Sequence, residues 1–233
     1  MIISHKYKFI FIKTRKTAGT SIEAYLSDYC SSNDILTPIF PPVERHQARN
    51  YQGRFNPIRE IISNFPDQKE IKKTVIDWKH SNKFYNHIPA NKVKLRVLPK
   101  IWNSYFKFCV ERNPWDKTLS YYHHMNHKYG EGKWSFDQYL DSQKICLNCP
   151  LYMDQQQTEI IVDEVIKYES LNEELAEIFQ KLEVPFNGDL TIKAKSEYRK
   201  NRTPYQEIYT KEQKEKVAKL FQKEISLHDY RFY

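Results

Sequence analysis

Apolar and polar positions follow one another along this chain in short, readable blocks. Tyr7–Lys13 (YKFIFIK) is an apolar, aromatic and β-branched run that predicts a buried strand. A turn of small hydroxylated residues, TRKTAGTS, comes next, and Ile22, Leu26 and Tyr29 then recur at helical spacing. Tyr105–Val110 (YFKFCV) predicts a second buried strand, which ERNPW ends, and a helix follows over Asp116–Lys128. A short helix is expected at Phe136–Leu140, a third strand at Val162–Tyr168, and an amphipathic helix at Leu171–Leu182. Near the end, Thr210 and Gln213 spell a capping box before a helix with Val217, Leu220, Phe221 and Ile225 on one face. Residues 37–90 interrupt the pattern with Pro38, Pro41, Pro42, Pro57 and Pro66. Short helices are expected there over 57–64 and 68–77, with another starting near Pro89 and no strong core signal. Excursions of this kind often shape a substrate cleft.

Strands alternating with helices predict an α/β fold: a central parallel β-sheet flanked by helices, a three-layer sandwich. At 233 residues, the chain is expected to form a single domain over 1–233, with the elaborated excursion at about 37–90. No apolar run is long enough to cross a bilayer. The opening stretch, MIISHKYKFIFIKT, carries Lys8 and Lys13 and no small-residue cleavage site, so it reads as a strand, not an export signal. Four cysteines (Cys30, Cys109, Cys146, Cys149) are too few for a disulfide framework, which makes a reducing cytoplasm the expected location. The net charge of +8 asks for a polyanionic partner without choosing among a nucleotide, a nucleic acid and an acidic glycan.

The first candidate chemistry lies in Lys16-Thr17-Ala18-Gly19-Thr20-Ser21, between a strand and a helix. A helix N-terminus offers unpaired N–H groups and partial positive charge, so a phosphate placed there gains several backbone hydrogen bonds. Ala18 and Gly19 let the backbone come close, Thr20 and Ser21 add hydroxyls, and Lys16 adds a full charge. This is not a Walker A loop, because the Lys precedes the small residues. No Walker B strand ending in Asp is evident either, so the loop reads as a phosphate cradle that works without a metal. Taken alone, it is equally an ordinary turn with a helix cap. The second constellation is FCVERNPWDKTLSYY, which puts Arg112 at a strand end and Ser120 inside the following helix. In a parallel sheet the strand C-termini face the ligand crevice, so Arg112 and Ser120 could share a second phosphate. Pro114 suits the first turn of that helix.

Together these stretches resemble the sulfotransferases that use 3′-phosphoadenosine 5′-phosphosulfate (PAPS), closest to the carbohydrate branch that includes the heparan 2-O and chondroitin enzymes. That family carries P-K-T-[AG]-[GS]-T-S after its first strand and F-x-x-V-R-N-P-[WY]-x-R-x-x-S later. Here Arg15 stands where the family often has Pro, Glu111 is an extra residue beside Arg112, and Lys117 replaces the usual Arg. Tyr168-Glu169-Ser170-Leu171 is similar to the family's R-Y-E-x-L segment, and Arg202-Thr203-Pro204-Tyr205 with Asp229-Tyr230 is similar to its ending.

The resemblance implies a P-loop-like sulfotransferase fold and a PAPS-dependent enzyme that sulfates a carbohydrate or glycolipid hydroxyl. It implies no nucleic-acid partner and no metal, and the lack of an anchor points to a bacterial member. Arg15, Lys16, Thr17, Ala18, Gly19, Thr20 and Ser21 would hold the 5′-phosphate, with Lys16 stabilising the leaving group. Arg112 and Ser120 would hold the 3′-phosphate, and Arg202 and Thr203 would belong to a late loop closing over the donor. Several family members carry a catalytic His before the Arg-bearing strand. His87 (Tyr85-Asn86-His87-Ile88-Pro89-Ala90) is the candidate base here, against a purely structural role capping the helix near Pro89. His46, His80, Asp77 and Glu44 compete for that role. Cys146-x-x-Cys149 with His123 and His127 could make a zinc site, although the order and spacing match no common module. The plainer expectation is unlinked surface residues, with His123 or His124 near the acceptor mouth. Two rival functions remain: a Mg²⁺-dependent nucleotide kinase or other P-loop phosphotransferase, and a basic nucleic-acid or polyanion-binding module.

Overall fold

The opening stretch, MIISHKYKFIFIKT, folds back on itself. In the computed structural model, which describes residues 1–130, 132–142, 144–190 and 203–233, it splits into β1 (Ile2–Ser4) and β2 (Phe9–Phe11). Residues 5–8 are too few for a crossover, so the two strands pair antiparallel, Ile3 opposite Ile10. Asp34 fixes the turn, accepting from the Ser4 hydroxyl at 3.0 Å and the His5 N–H at 2.7 Å. The adjoining β3 (Ile35–Leu36) pairs antiparallel with β1. On the other side, β4 (Phe106–Glu111) runs parallel to β2, and β5 (Glu164–Lys167) parallel to β4. The order is β3-β1-β2-β4-β5. The central sheet flanked by helices is as expected, parallel from β2 through β4 to β5, with an antiparallel edge formed by β1 and β3 where a tight turn joins β1 to β2.

Alternate residues of these strands feed two cores, which makes the molecule a mixed α/β fold with helices on both faces of the sheet. Phe9, Phe11, Phe108, Val110 and Ile166 pack on α1 (Gly19–Ser27) and α9 (Leu171–Lys181). Ile3, Ile10, Ile12 and Cys109 pack on α4 (Ala90–Arg96), α5 (Pro99–Ser104) and α8 (Cys149–Tyr152). A third cluster joins α6 (Pro114–Tyr129), α7 (Phe136–Asp141), α11 (Lys211–Leu220) and α12 (Gln222–His228) around Trp115, Tyr139 and Phe221. The Thr210–Gln213 capping box forms as expected, and the helix it starts breaks at Phe221.

The excursion contains α2 (Pro57–Asn64) and α3 (Gln68–Lys79), both where the sequence predicts helices. Contrary to the expectation of no strong core, Phe84 and Ile88 are fully buried beneath the sheet. The helices themselves are tied by a buried ionic knot. Arg96 of α4 pairs with Glu60 of α2 at 2.7 Å and Asp77 of α3 at 2.9 Å, with its plane over Phe55. Charged residues at core positions conceal this packing from an apolar pattern.

Candidate active site

The loop after β2 is drawn tight by its neighbours. Thr14 donates its hydroxyl to the Val110 carbonyl at 2.5 Å, and its oxygen lies 2.7 Å from the Thr17 hydroxyl. This anchors the loop to the end of β4. Lys16 and Ala18 both take positive φ, 62° and 58°, with Thr17 between them. Such changes of hand turn successive N–H groups toward one point. Ala18 is the N-cap of α1 and supplies no side-chain cap. The first helical bond runs from the Ile22 N–H to the Ala18 carbonyl, so the Gly19, Thr20 and Ser21 N–H groups precede it. Gly19 is needed because a Cβ there would lie 2.8 Å from Lys13 Cγ. The Lys13 ammonium is buried against Glu23 at 2.5 Å. Burial alone would raise the Glu23 pKa, but the Met1 ammonium and Lys13 prevail and hold it below the ordinary value.

Arg112 leaves β4 and reaches this loop directly. Its Nη1 donates to the Lys16 carbonyl at 3.1 Å. Nε and Nη2 both donate to Asp116, at 2.9 and 2.6 Å, and the guanidinium lies 4.1 Å from the Tyr168 ring centre. Glu169, the next residue, accepts the Asn113 N–H at 2.7 Å. The R-Y-E-x-L-like stretch after β5 thus joins the same place, and Tyr168 and Asp116 are contacts that sequence reasoning gave no role. Ser120 sits half-buried on α6, behind the Pro114 that starts the helix. Thr203 is half-buried just before α10 (Tyr205–Ile208), and the following Tyr209 hydroxyl donates to the Trp115 carbonyl at 2.8 Å. Arg202 lies outside the described residues.

His87 also reaches the loop. Its Nδ1 stands 3.0 Å from the Lys13 carbonyl. A carbonyl only accepts, so Nδ1 carries the proton and Nε2 keeps its lone pair. Burial and the nearby Lys13 charge lower its pKa to about 3. The helix near Pro89 is not capped by His87: Pro89 is the N-cap of α4 and no side chain caps it. The rival groups are differently employed. His46 bonds the Ser27 hydroxyl and the Thr37 carbonyl through its two nitrogens, both at 2.8 Å. His80 is exposed at the end of α3, Glu44 is exposed, and Asp77 is paired with Arg96.

Two of the three departures from the family pattern meet each other. Lys117 and Glu111 form a fully buried ion pair at 2.8 Å, and Lys117 also pairs with Glu224 of α12. The cysteines expected on the surface are buried instead, Cys146 at 1% and Cys149 at 2% exposure. Pro150 fits the first turn of α8, so Cys149 starts a helix packed under the sheet. Burial pushes the Cys146 thiol up to about 11 and the Cys149 thiol to about 12. Among the described residues, no group of His, Cys, Asp or Glu is placed to hold a metal ion. Among them too, no helix is long and apolar enough to cross a membrane.

The loop at the α1 N-terminus is thus within hydrogen-bond reach of the Arg112 guanidinium, and the Lys13 carbonyl just before it is within reach of the His87 imidazole. Residues 1–154 match the sequence profile described as "Sulfotransferase family", and the chain belongs to that family. Sulfuryl transfer is its class of reaction. An uncharacterized protein of Archaeoglobus fulgidus is 35% identical over 118 residues, covering 48% of this chain and 98% of that protein. The crystal structure of a sulfotransferase from Alicyclobacillus acidocaldarius aligns over 96% of both chains, at 16% identity and a TM-score of 0.41.

Proposed function

We propose that the protein moves a sulfuryl group from PAPS to a hydroxyl of a carbohydrate or glycolipid by metal-free in-line transfer. The observation carrying this reading is the 3.1 Å bond from Arg112 to the Lys16 carbonyl, which makes the two anion-binding stretches one site. The donor set fits a doubly phosphorylated nucleotide. An uncapped α1 N-terminus with Lys16, Thr17, Thr20 and Ser21 suits the 5′-phosphate, and Arg112 with Ser120 suits the 3′-phosphate. Arg15, Ala18 and Gly19 complete the loop, and Arg202 and Thr203 belong to the segment proposed to close over it.

When bound, the donor supplies the sulfuryl group and a phosphate leaving group. Lys16 neutralises negative charge growing on the leaving side. His87, neutral and with Nε2 free to accept, takes the acceptor's hydroxyl proton. Its low pKa in the free protein rises when anions arrive beside it, which makes it a better base once the site is loaded. The carbohydrate or glycolipid acceptor rests on the motif resemblance and on the excursion that carries His87 to the loop. Four free thiols suit a reducing cytoplasm.

Thermal melting with adenosine 3′,5′-bisphosphate (PAP), with ATP and Mg²⁺, and with oligonucleotides tests the reading. A ligand of the folded state raises the midpoint. The expected result is stabilisation by PAP without Mg²⁺. Preference for ATP and Mg²⁺ would indicate a kinase, and a response to oligonucleotides alone a polyanion-binding module.

A further inference from the structure

Asn148 carries no role in the reading above, and it is fully buried between the two anion-binding stretches. Its side-chain oxygen accepts the Arg15 N–H at 2.9 Å. Its Nδ2 donates to the Arg15 carbonyl at 3.0 Å and to Glu111 Oε1 at 3.1 Å. One amide therefore grips both polar groups of a loop residue and spends its remaining donor on the residue before Arg112. Glu111 is fully buried and continues the chain of bonds. Its Oε1 accepts the Arg112 N–H at 2.9 Å and pairs with Lys117, and its Oε2 accepts the Tyr152 hydroxyl at 3.0 Å. From behind, Glu224 of α12 accepts the Asn148 and Cys149 N–H groups at 2.5 and 2.9 Å.

We propose that Asn148 and Glu111 are positioning residues: the bridge from the Arg15 backbone through these side chains to the Arg112 backbone sets the separation of the two phosphate sites. The claim rests on the PAPS reading for what the sites hold, but the bonds of the bridge are observed independently of it, and the Asn148 and Glu111 side chains are fully buried. A site whose halves are held at the right spacing before binding loses less freedom when one ligand engages both. The bridge therefore matters most for a ligand with two phosphates and little for a ligand with one. It also accounts for Glu111, which the family pattern does not ask for. A buried carboxylate there needs a cation, and Lys117 provides it.

Calorimetric titration of the full chain with PAP and with adenosine 5′-phosphate, for the wild type, Asn148→Ala and Asn148→Ser, tests this. In the wild type, PAP binds far more tightly than the monophosphate. In both variants, PAP affinity falls at least tenfold while monophosphate affinity falls less than threefold, so the advantage of the second phosphate shrinks. An unchanged ratio of the two affinities would overturn the proposal, since a purely structural Asn148 weakens both ligands alike. Hydrogen exchange on the unliganded wild type gives an answer even if neither variant folds. The Arg15 amide should exchange at least 100-fold more slowly than an open loop amide, and fast exchange would contradict the clamp. Failure of the wild type to bind PAP at all would sink the PAPS reading instead, with the Arg15 protection still deciding the bridge.

Discussion

Lys16 and Arg112 lie side by side, yet their substitutions should fail differently. Lys16→Ala removes charge where it develops during transfer, so turnover should fall at least about 100-fold with the melting point unchanged. Arg112→Ala removes a ground-state contact to the donor, which should cost about 1.5–3 kcal/mol of PAP affinity. Steady-state kinetics and calorimetry separate the two, and a Lys16→Ala enzyme of near-normal rate would remove Lys16 from the chemistry. For His87, the geometry predicts a neutral ring with its proton on Nδ1. NMR titration of the free protein should find the ring uncharged down to about pH 4, given a pKa near 3, and PAP should move that pKa upward. Folding lowers the pKa below the ordinary 6.5, so the unfolded chain takes the proton first. The stability from this group is full above pH 6.5 and is lost as the pH falls toward 3. His87→Ala should reduce the rate by about 10²–10⁴-fold with little change in PAP affinity; a normal rate would remove it as the base. Local spacing put Lys16 on a loop and Arg112 at a strand end, while His87 came from the family resemblance. Asn148 was not legible in the sequence, since its partners Arg15, Glu111 and Glu224 lie far away along the chain. Asp116 stands only four residues from Arg112 and Tyr168 lies in the R-Y-E-x-L-like stretch, but neither pattern by itself points to a contact with the guanidinium.

The elements were legible where apolar spacing decides the structure. The helices at 57–64 and 68–77 and the Thr210 cap follow from a cap residue or a Pro in the first turn, and the strand at 105–110 from its apolar run. Two misses share one cause: the deciding contact is polar or long-range. The split of the opening run into β1 and β2 depends on Asp34, which ties the turn from a distant position. The α2–α3–α4 cluster depends on Arg96 meeting Glu60 and Asp77 in the interior. Removing one partner of such a buried network strands the others without compensation. Arg96→Ala should cost about 3–5 kcal/mol in denaturant unfolding. A loss below 1 kcal/mol would show that apolar contacts such as Phe84 hold the excursion unaided. Because His87 lies between α3 and α4, the same variant should reduce turnover more than PAP affinity.

At the level of the whole molecule, the +8 charge invites a nucleic-acid reading that the site chemistry does not need. A groove making many phosphate contacts loses affinity steeply with salt, whereas a pocket for one small nucleotide counts only two phosphates. PAP affinity should therefore fall less than about tenfold between 50 and 200 mM salt. A drop of about 10³-fold would favour an extended polyanion surface. The mixed sheet and its two cores bring the end of β4 and the turn before α4 each within hydrogen-bond reach of the segment that follows β2. The decisive measurement is a crystal structure with PAP bound. It should show the 5′-phosphate against the Gly19–Ser21 N–H groups and Lys16, and the 3′-phosphate on Arg112 and Ser120. Nucleotide density elsewhere on the molecule, or with only one phosphate engaged by these groups, would contradict the account.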